Sequence, residues 1–357
     1  MDPLTHALSG ALLTRATAPH LLHPKASSLP LHLRVTAGFT AAAFPDIDLV
    51  LRLIDTLTYL NWHQGPTHSL IMLPLWSLLL SHLFSQLTHK HYSWKVFYFP
   101  VCLGIAIHIA GDLITSYGLM LFAPLSAQRF SLPLVFVIDP WFSLIIIMGL
   151  VLSAKFPHLK SIAICALIGL ACYVGFLWHL HTRAYDIGIS HAKLLNTVAQ
   201  TNIDVLPQPL SPFNWKIIIQ HRDTYHTAYV NLRPYQNTAV PKTDTWLIPE
   251  MAAAYQPSAD IKWQRWEKFG KNQDETGRVQ LAWSQPEFEQ FRQFSVLPRL
   301  DRIEQSKNST CFWFFDLRFQ FPELPPSFRY GICQAGNHSN NQSHWHIQRK
   351  QGIFLID

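Results

Sequence analysis

His108 and Asp112 stand four residues apart in a strongly apolar stretch, so a helix there projects both from one face, one turn apart. An imidazole nitrogen beside a carboxylate oxygen suits zinc, and a carboxylate-rich variant also accepts manganese or iron. Taken alone, the pair reads equally well as a hydrogen-bonded structural contact. It gains meaning from its company: His6 in Asp-Pro-Leu-Thr-His, Asp46 and Asp48 in Phe-Pro-Asp-Ile-Asp, His63 and His68 in His-Gln-Gly-Pro-Thr-His-Ser, and Asp139 in Ile-Asp-Pro-Trp. We read His6, Asp46, His68, His108 and Asp112 as metal ligands, with zinc the first choice. Asp48, His63 and Asp139 are then the catalytic candidates, acting as outer partners or general base.

What must position these groups is a set of apolar helices. Residues 1–182 hold nine Lys/Arg, six Asp and no Glu, whereas the remainder carries nineteen basic and sixteen acidic residues, an ordinary soluble density. The net charge of +6 is split evenly between the halves and forms no basic stripe of the kind nucleic acid requires. A membrane-crossing helix needs about 20 apolar residues. Stretches at roughly 69–87, 96–115, 135–154 and 161–180 satisfy this, and two shorter ones rich in Ala and Gly, 4–18 and 35–51, suit close packing inside a bundle. The expected fold is an N-terminal all-α polytopic membrane bundle of about six helices over 1–182. A linker over 183–213, marked by Pro207, Pro209 and Pro212, leads to a soluble α+β, strand-rich domain over 214–357.

Six crossings bring all eight chemical groups to one end of the bundle and Arg15, Lys25, Arg34, Lys90, Lys95, Lys155 and Lys160 to the other. Basic loops favour the cytoplasm. This sorting puts the N-terminus, the site and the C-terminal domain on the extracytoplasmic side. Met-Asp-Pro-Leu-Thr-His lacks the basic start of a signal peptide, so a retained N-terminus is expected.

As a set, Asp-Pro-Leu-Thr-His6, Phe-Pro-Asp46-Ile-Asp48, His63-x-Gly-x-Thr-His68-Ser and His108-x-x-x-Asp112-Leu-Ile-Thr-Ser-Tyr-Gly resemble the bacterial inner-membrane proteins described as membrane-bound, metal-dependent hydrolases, the YdjM-like group. The resemblance covers about the first 145 residues. It implies a multi-pass protein of the bacterial inner (cytoplasmic) membrane with metal-dependent hydrolase activity. Much of that group has Arg after the first His of the third motif, where this chain has Gln64, one cation fewer for a substrate anion. The ligand order is also similar, more distantly, to zinc-dependent phospholipase C and the P1-type nucleases, which implies phosphoester hydrolysis. Those enzymes' later His and Glu ligands have no clear match here.

The expected substrate is a membrane lipid or lipid-linked molecule, cleaved by metal-activated water; the oligomeric state is left open. Two other classes compete: a membrane protein that uses metal for structure or sensing while its soluble tail recruits a partner, and a transporter. Acids gathered at one end, rather than filed across the bundle, disfavour transport. Other histidines have blander readings. His20, His23, His32, His82, His89, His91, His158 and His179 lie in loops, near helix ends or alone on apolar stretches, and His338, His344 and His346 read first as a polar loop entering a strand. Cys102, Cys165 and Cys172 read as small buried hydrophobes, and Cys311 and Cys333 as one possible disulfide in an oxidising compartment. In the polar half, Trp215–Gln220, Ala228–Leu232, Cys311–Phe321 and Tyr330–Cys333 have strand composition and Gln285–Phe294 looks helical.

Overall fold

Helix α1 (Pro3–Ala16) begins where it does because Asp2 caps it: the carboxylate accepts the Thr5 N–H at 3.0 Å, and Pro3 occupies a first-turn position whose N–H has no helical partner anyway. His6 therefore sits one turn inside. Helix α2 (Leu31–Ala43) ends two residues before Pro45, which cannot continue the α ladder, and the chain tightens into a 3-10 run over Phe44–Leu53. Asp55 then caps a short α3 (Thr56–Trp62) by accepting the Thr58 N–H at 2.9 Å. Beyond a single 3-10 turn at Pro66–His68 come α4 (Leu73–Leu87), α5 (Trp94–Leu113), α6 (Pro140–Lys155) and α7 (Ser161–Leu194).

This computed structural model describes residues 1–19, 29–209, 211–234, 247–306, 309–335 and 344–350; His20, His23, Lys25 and His338 of the sequence reading lie outside them. The chain divides into two compact units, Met1–His179 and Leu180–Asp357.

In the first unit, α1, α2 and α5 meet through glycine. A Cβ on Gly10 would come within 2.3 Å of the Gly38 carbonyl oxygen, and one on Gly104 within 2.6 Å of the same atom, so the three backbones touch at a point no side chain fits. Of these helices α1 carries His6 and α5 carries His108 and Asp112, while the 3-10 run that follows α2 carries Asp46. Among the described residues, α5 and α7 are long and apolar enough to cross a membrane; the pair Thr56–His68 and Leu73–Leu87, bent by 80°, makes a third if it is one broken span. Six crossings do not follow from helix length, because α1, α2, α4 and α6 have only 14, 13, 15 and 16 residues. Cys165 and Cys172 are exposed on α7 and Cys102 is half-buried, so the apolar stretches that hold them do not bury all three.

The second unit is strand-rich. The segment expected as a linker is instead ordered structure: α7 runs on to Leu194, and β1 occupies Thr201–Pro207, so of the three prolines Pro207 ends a strand and the others follow it. One sheet has the order β1, β2 (Asn214–His221), β3 (Thr224–Asn231), β4 (Gln256–Pro257), with β5 (Gln264–Glu267) also pairing with β3. Helices α8 (Leu247–Ala253), α9 (Gln273–Trp283) and α10 (Glu289–Phe294) complete the unit with a second, wholly antiparallel sheet: β6 (Pro298–Gln305), β7 (Ser309–Asp316), β8 (Arg329–Ala335) and β9 (Trp345–Lys350). Leu206, Ile218, Tyr225, Leu297, Phe315 and Leu317, drawn from both halves of this unit, form one buried cluster. Cys311 and Cys333 face each other across β7 and β8 and are disulfide-bonded.

Candidate metal centre

Asp46, His68, His108 and Asp112 each offer one ligand atom, and these atoms all lie within 4.8 Å of one another. His68 Nε2 is 3.2 Å and His108 Nε2 3.3 Å from Asp112 Oδ2, while the same nitrogens are 3.7 and 3.8 Å from Asp46 Oδ1. Ligands at about 2.0–2.2 Å around a tetrahedral ion are roughly 3.3–3.6 Å apart. The nitrogen–oxygen edges of 3.2–3.8 Å lie near that span, and the wider separations, up to 4.8 Å, would have to close around a zinc-sized ion. Buried polar atoms ordinarily find partners; yet Asp46 Oδ2, His68 Nε2, His108 Nε2 and Asp112 Oδ2 are all buried with no hydrogen bond. Two carboxylates facing two imidazoles, with the Met1 ammonium as a fixed cation beside Asp112, leave with neutral imidazoles a net negative group of ligands that suits a divalent cation.

Each ligand is held from behind. His108 Nδ1 faces the Ala42 carbonyl oxygen at 2.6 Å, and donation there leaves the Nε2 lone pair pointing inward. His68 Nδ1 lies 3.0 Å from Thr67 Oγ1 and 3.6 Å from Asp48 Oδ2, which orients that ring in the same sense. Asp112 turns its other oxygen, Oδ1, to His6 Nε2 at 2.9 Å and to the Met1 amino nitrogen at 2.5 Å. His6 is thus gathered into the cluster but one step behind it. Its ring stacks on that of His108 with centres 3.8 Å apart, and Gly111 makes room, since a Cβ there would sit 3.1 Å from His6 Cε1.

Beside the four lies a histidine–carboxylate pair. Asp48 is buried, and its Oδ1 and Oδ2 lie 3.0 and 3.1 Å from His63 Nδ1. Asp48 Oδ2 also accepts the Gln64 N–H at 3.1 Å. The His63 ring is 5.7 Å from that of His68, edge to face, and stacks on Tyr59. The 3-10 backbone explains why Asp46 and Asp48 divide their work: two residues on, a 3-10 helix has turned by about 240°, so the two carboxylates leave in different directions.

Asp139 is not brought into this group. It is the N-cap of α6, with Oδ1 accepting the Trp141 and Phe142 N–H groups at 2.9 and 3.0 Å and Oδ2 accepting the Tyr173 hydroxyl at 2.9 Å. Pro140 after it is the usual first helical residue, so Asp-Pro here marks a helix start, as at Asp2-Pro3. The sequence reading missed Arg129, whose guanidinium donates to the backbone carbonyls of Asn61, His63 and Gly118 and so braces the loop carrying His63. It also missed Gly111, which the sequence shows only as the residue before Asp112. His344 and His346 are exposed and join no such cluster among the described residues.

The family model described as YdjM inner membrane protein matches residues 1–184, and the chain belongs to that family. The match contains every residue of the cluster. A further relative is an uncharacterised protein, YfhP, of Bacillus subtilis (strain 168), 24% identical over 262 residues that cover 68% of this chain and 74% of the relative. No solved structure matches.

Proposed function

We propose that this member of the YdjM inner membrane protein family is a metal-dependent hydrolase that cleaves a phosphoester or related ester in a lipid or lipid-linked substrate. The observation that carries the reading is the convergence of four buried, unpartnered ligand atoms. His68 Nε2 and His108 Nε2 stand 3.2 and 3.3 Å from Asp112 Oδ2 without a hydrogen bond of good geometry, and an ion at their centre would satisfy all three atoms at once. Because four protein ligands fill a tetrahedral shell, the reading requires a fifth position on the ion; an ion so bound would supply Lewis acidity, lowering the pKa of its water to about 7 and drawing charge from the ester oxygen. Zinc suits two His and two carboxylates best, with manganese or iron as alternatives.

The chain's own residues supply the rest. Asp46, His68, His108 and Asp112 hold the ion; His6 fixes the Asp112 carboxylate; His63, oriented by Asp48 through Nδ1, keeps Nε2 available as general base toward a water beside the cluster. Among the four ligand residues only Asp46 is partly open, its side chain 14% exposed, so substrate approaches on that side. The phosphoester preference rests on the likeness in ligand order noted from the sequence. Helices α1, α2, α4 and α6 join α5 and α7 as membrane-embedded elements of a six-helix bundle. The site end and the second unit face outward from the cytoplasm, a reading supported by the loop charges and by the Cys311–Cys333 disulfide, which needs an oxidising compartment.

The test is elemental analysis of the detergent-purified protein, followed by a screen of phospholipid and lipid-phosphate substrates. Stoichiometric metal with turnover that vanishes in Asp112→Ala supports the reading. Metal without turnover on any ester favours a structural or sensing role for the ion, and absence of metal after reconstitution removes both.

A further inference from the structure

The 3-10 run that carries Asp46 and Asp48 has a second face. Three residues per turn bring positions i, i+3 and i+6 into line, and here those positions are Ile47, Val50 and Leu53, exposed by 58%, 57% and 85%. Ile54 follows at 75%, and Leu49 and Trp62 are also exposed. Soluble surfaces rarely show so continuous an aliphatic ridge. Its charges are turned away or engaged: Asp48 is buried against His63, Arg52 lies over the Tyr59 ring, and Asp55 caps α3.

Two observations say what covers the ridge. Asp112 is the penultimate residue of α5, an apolar helix of 20 residues, about the length needed to cross the hydrocarbon core, so the cluster sits at the level of one membrane boundary. The segment Thr56–His68, continuous with the ridge, forms with α4 an apolar pair bent by 80°, the geometry of a broken or re-entrant span. A ridge of aliphatic side chains at that depth, continuous with apolar helices, meets acyl chains.

We propose that the ridge Ile47–Val50–Leu53, with Ile54 and Trp62, is seated in the lipid leaflet at the site end of the bundle, so that a lipid headgroup reaches the cluster sideways from the bilayer. Asp46, the partly open ligand residue, is the immediate neighbour of Ile47 and lies at that doorway. The contact with lipid stands on the ridge alone; the delivery of substrate rests on the hydrolase reading, and the two are separable by experiment.

The experiment uses the full chain with Cys102, Cys165 and Cys172 replaced by Ser and the disulfide intact. Nitroxide labels are placed at Val50→Cys and Leu53→Cys, with Ile168→Cys on α7 as a lipid-facing reference and Lys262→Cys as a water-facing one. In vesicles of phosphatidylethanolamine and phosphatidylglycerol, collision rates with oxygen and with a neutral nickel chelate are measured. The expected oxygen-to-nickel ratio at Val50 and Leu53 is several-fold above that at Lys262 and close to that at Ile168. A ratio matching Lys262 overturns the proposal. So does exclusion of both reagents, which would mean protein covers the ridge, with spin–spin broadening identifying a second copy. Metal content of the same vesicles reports separately on the hydrolase reading: metal can be absent while the labels still sit in lipid, or present while they sit in water.

Discussion

Both units bury a carboxylate completely, and they treat it in opposite ways. Asp316, in the strand-rich unit, gives Oδ2 to the Val296 N–H at 2.7 Å and to Arg318 Nε and an Arg318 terminal nitrogen at 3.1 and 2.9 Å, and Oδ1 to the Arg318 N–H at 2.8 Å. The guanidinium beside it holds its carboxyl below the usual carboxylate range despite the burial. Asp112, in the helical unit, has one oxygen engaged and leaves the other without a hydrogen bond, at ion-pair distances of 3.2 and 3.3 Å from two imidazole nitrogens that likewise make no hydrogen bond. Burial with full satisfaction is what a structural carboxylate shows; burial with converging atoms that make no hydrogen bond is what makes Asp112 a candidate metal ligand.

The largest effect that can break this contrast is on metal. Asp112→Ala and His108→Ala should each reduce bound zinc or manganese from stoichiometric to background in elemental analysis, with any hydrolysis falling together with it, while membrane insertion persists. Asp316→Ala should do the reverse. Removing one partner of a buried pair costs about 3–5 kcal/mol, so hydrogen exchange at β7 should accelerate strongly while metal content stays at the wild-type level. If Asp316→Ala lost the metal, or Asp112→Ala kept it, the distinction between the two carboxylates would be wrong.

Next in size is a pH effect confined to the strand-rich unit. Lys216 is fully buried, its ammonium nitrogen donating to the Leu317 and Gln320 carbonyl oxygens at 2.6 and 3.1 Å. Burial pushes its pKa down from 10.5 to about 7, with Asp316 pulling it up and Arg299 adding to the fall. Between those values the unfolded chain holds a proton that the folded chain lacks, so stability should rise with pH from about 7 to about 10.5 and be lost as pH falls back toward 7. The upper bound on the slope is about 1.4 kcal/mol per pH unit. Hydrogen exchange at β2 across that range should show the trend, and Lys216→Met should flatten it.

The site was more legible than the architecture that holds it, for physical reasons. A charged or imidazole side chain in an apolar stretch is conspicuous, and His108-x-x-x-Asp112 on a helix fixes its own geometry. Three features were not legible. His6 and His68 are both histidines near helix ends, and only the three-dimensional placement shows that His68 reaches the cluster directly while His6 acts through Asp112. The 3-10 run after α2 hides in a stretch whose hydropathy reads as helix, although Pro45 is the signal for it. And the proline-marked segment 183–213 looked like a linker because prolines near strand ends and prolines in linkers have the same composition; β1 alternates too weakly to announce itself.

A smaller effect separates positioning from ligation. His63→Ala and Asp48→Asn leave the four ligands in place, so metal should remain bound. Groups behind a metal site typically contribute 10–100-fold in affinity or activity, and a loss of that order is expected in turnover, accompanied in His63→Ala by removal of a limb of the pH–rate profile. Complete metal loss in His63→Ala would instead place His63 among the ligands.

The smallest expected effect concerns Asp139, which the sequence reading put beside Asp48 and His63 as a catalytic candidate. In the fold its carboxylate is committed to the first turn of α6 and to the Tyr173 hydroxyl. Replacing a capping Asp by Ala costs about 1 kcal/mol, and Asp139→Ala should lower thermal stability by that order while metal content, turnover and the pH profile stay at wild-type values. Asp139→Ser restores an oxygen able to accept the Phe142 N–H but too short to keep the tyrosine contact as well, so its stability should fall between the two. A general base gives a different pattern: neither variant would retain turnover, since a serine hydroxyl cannot accept a proton at neutral pH. Equal turnover in wild type, Ala and Ser therefore assigns Asp139 to the helix and leaves His63 with Asp48 as the pair beside the cluster.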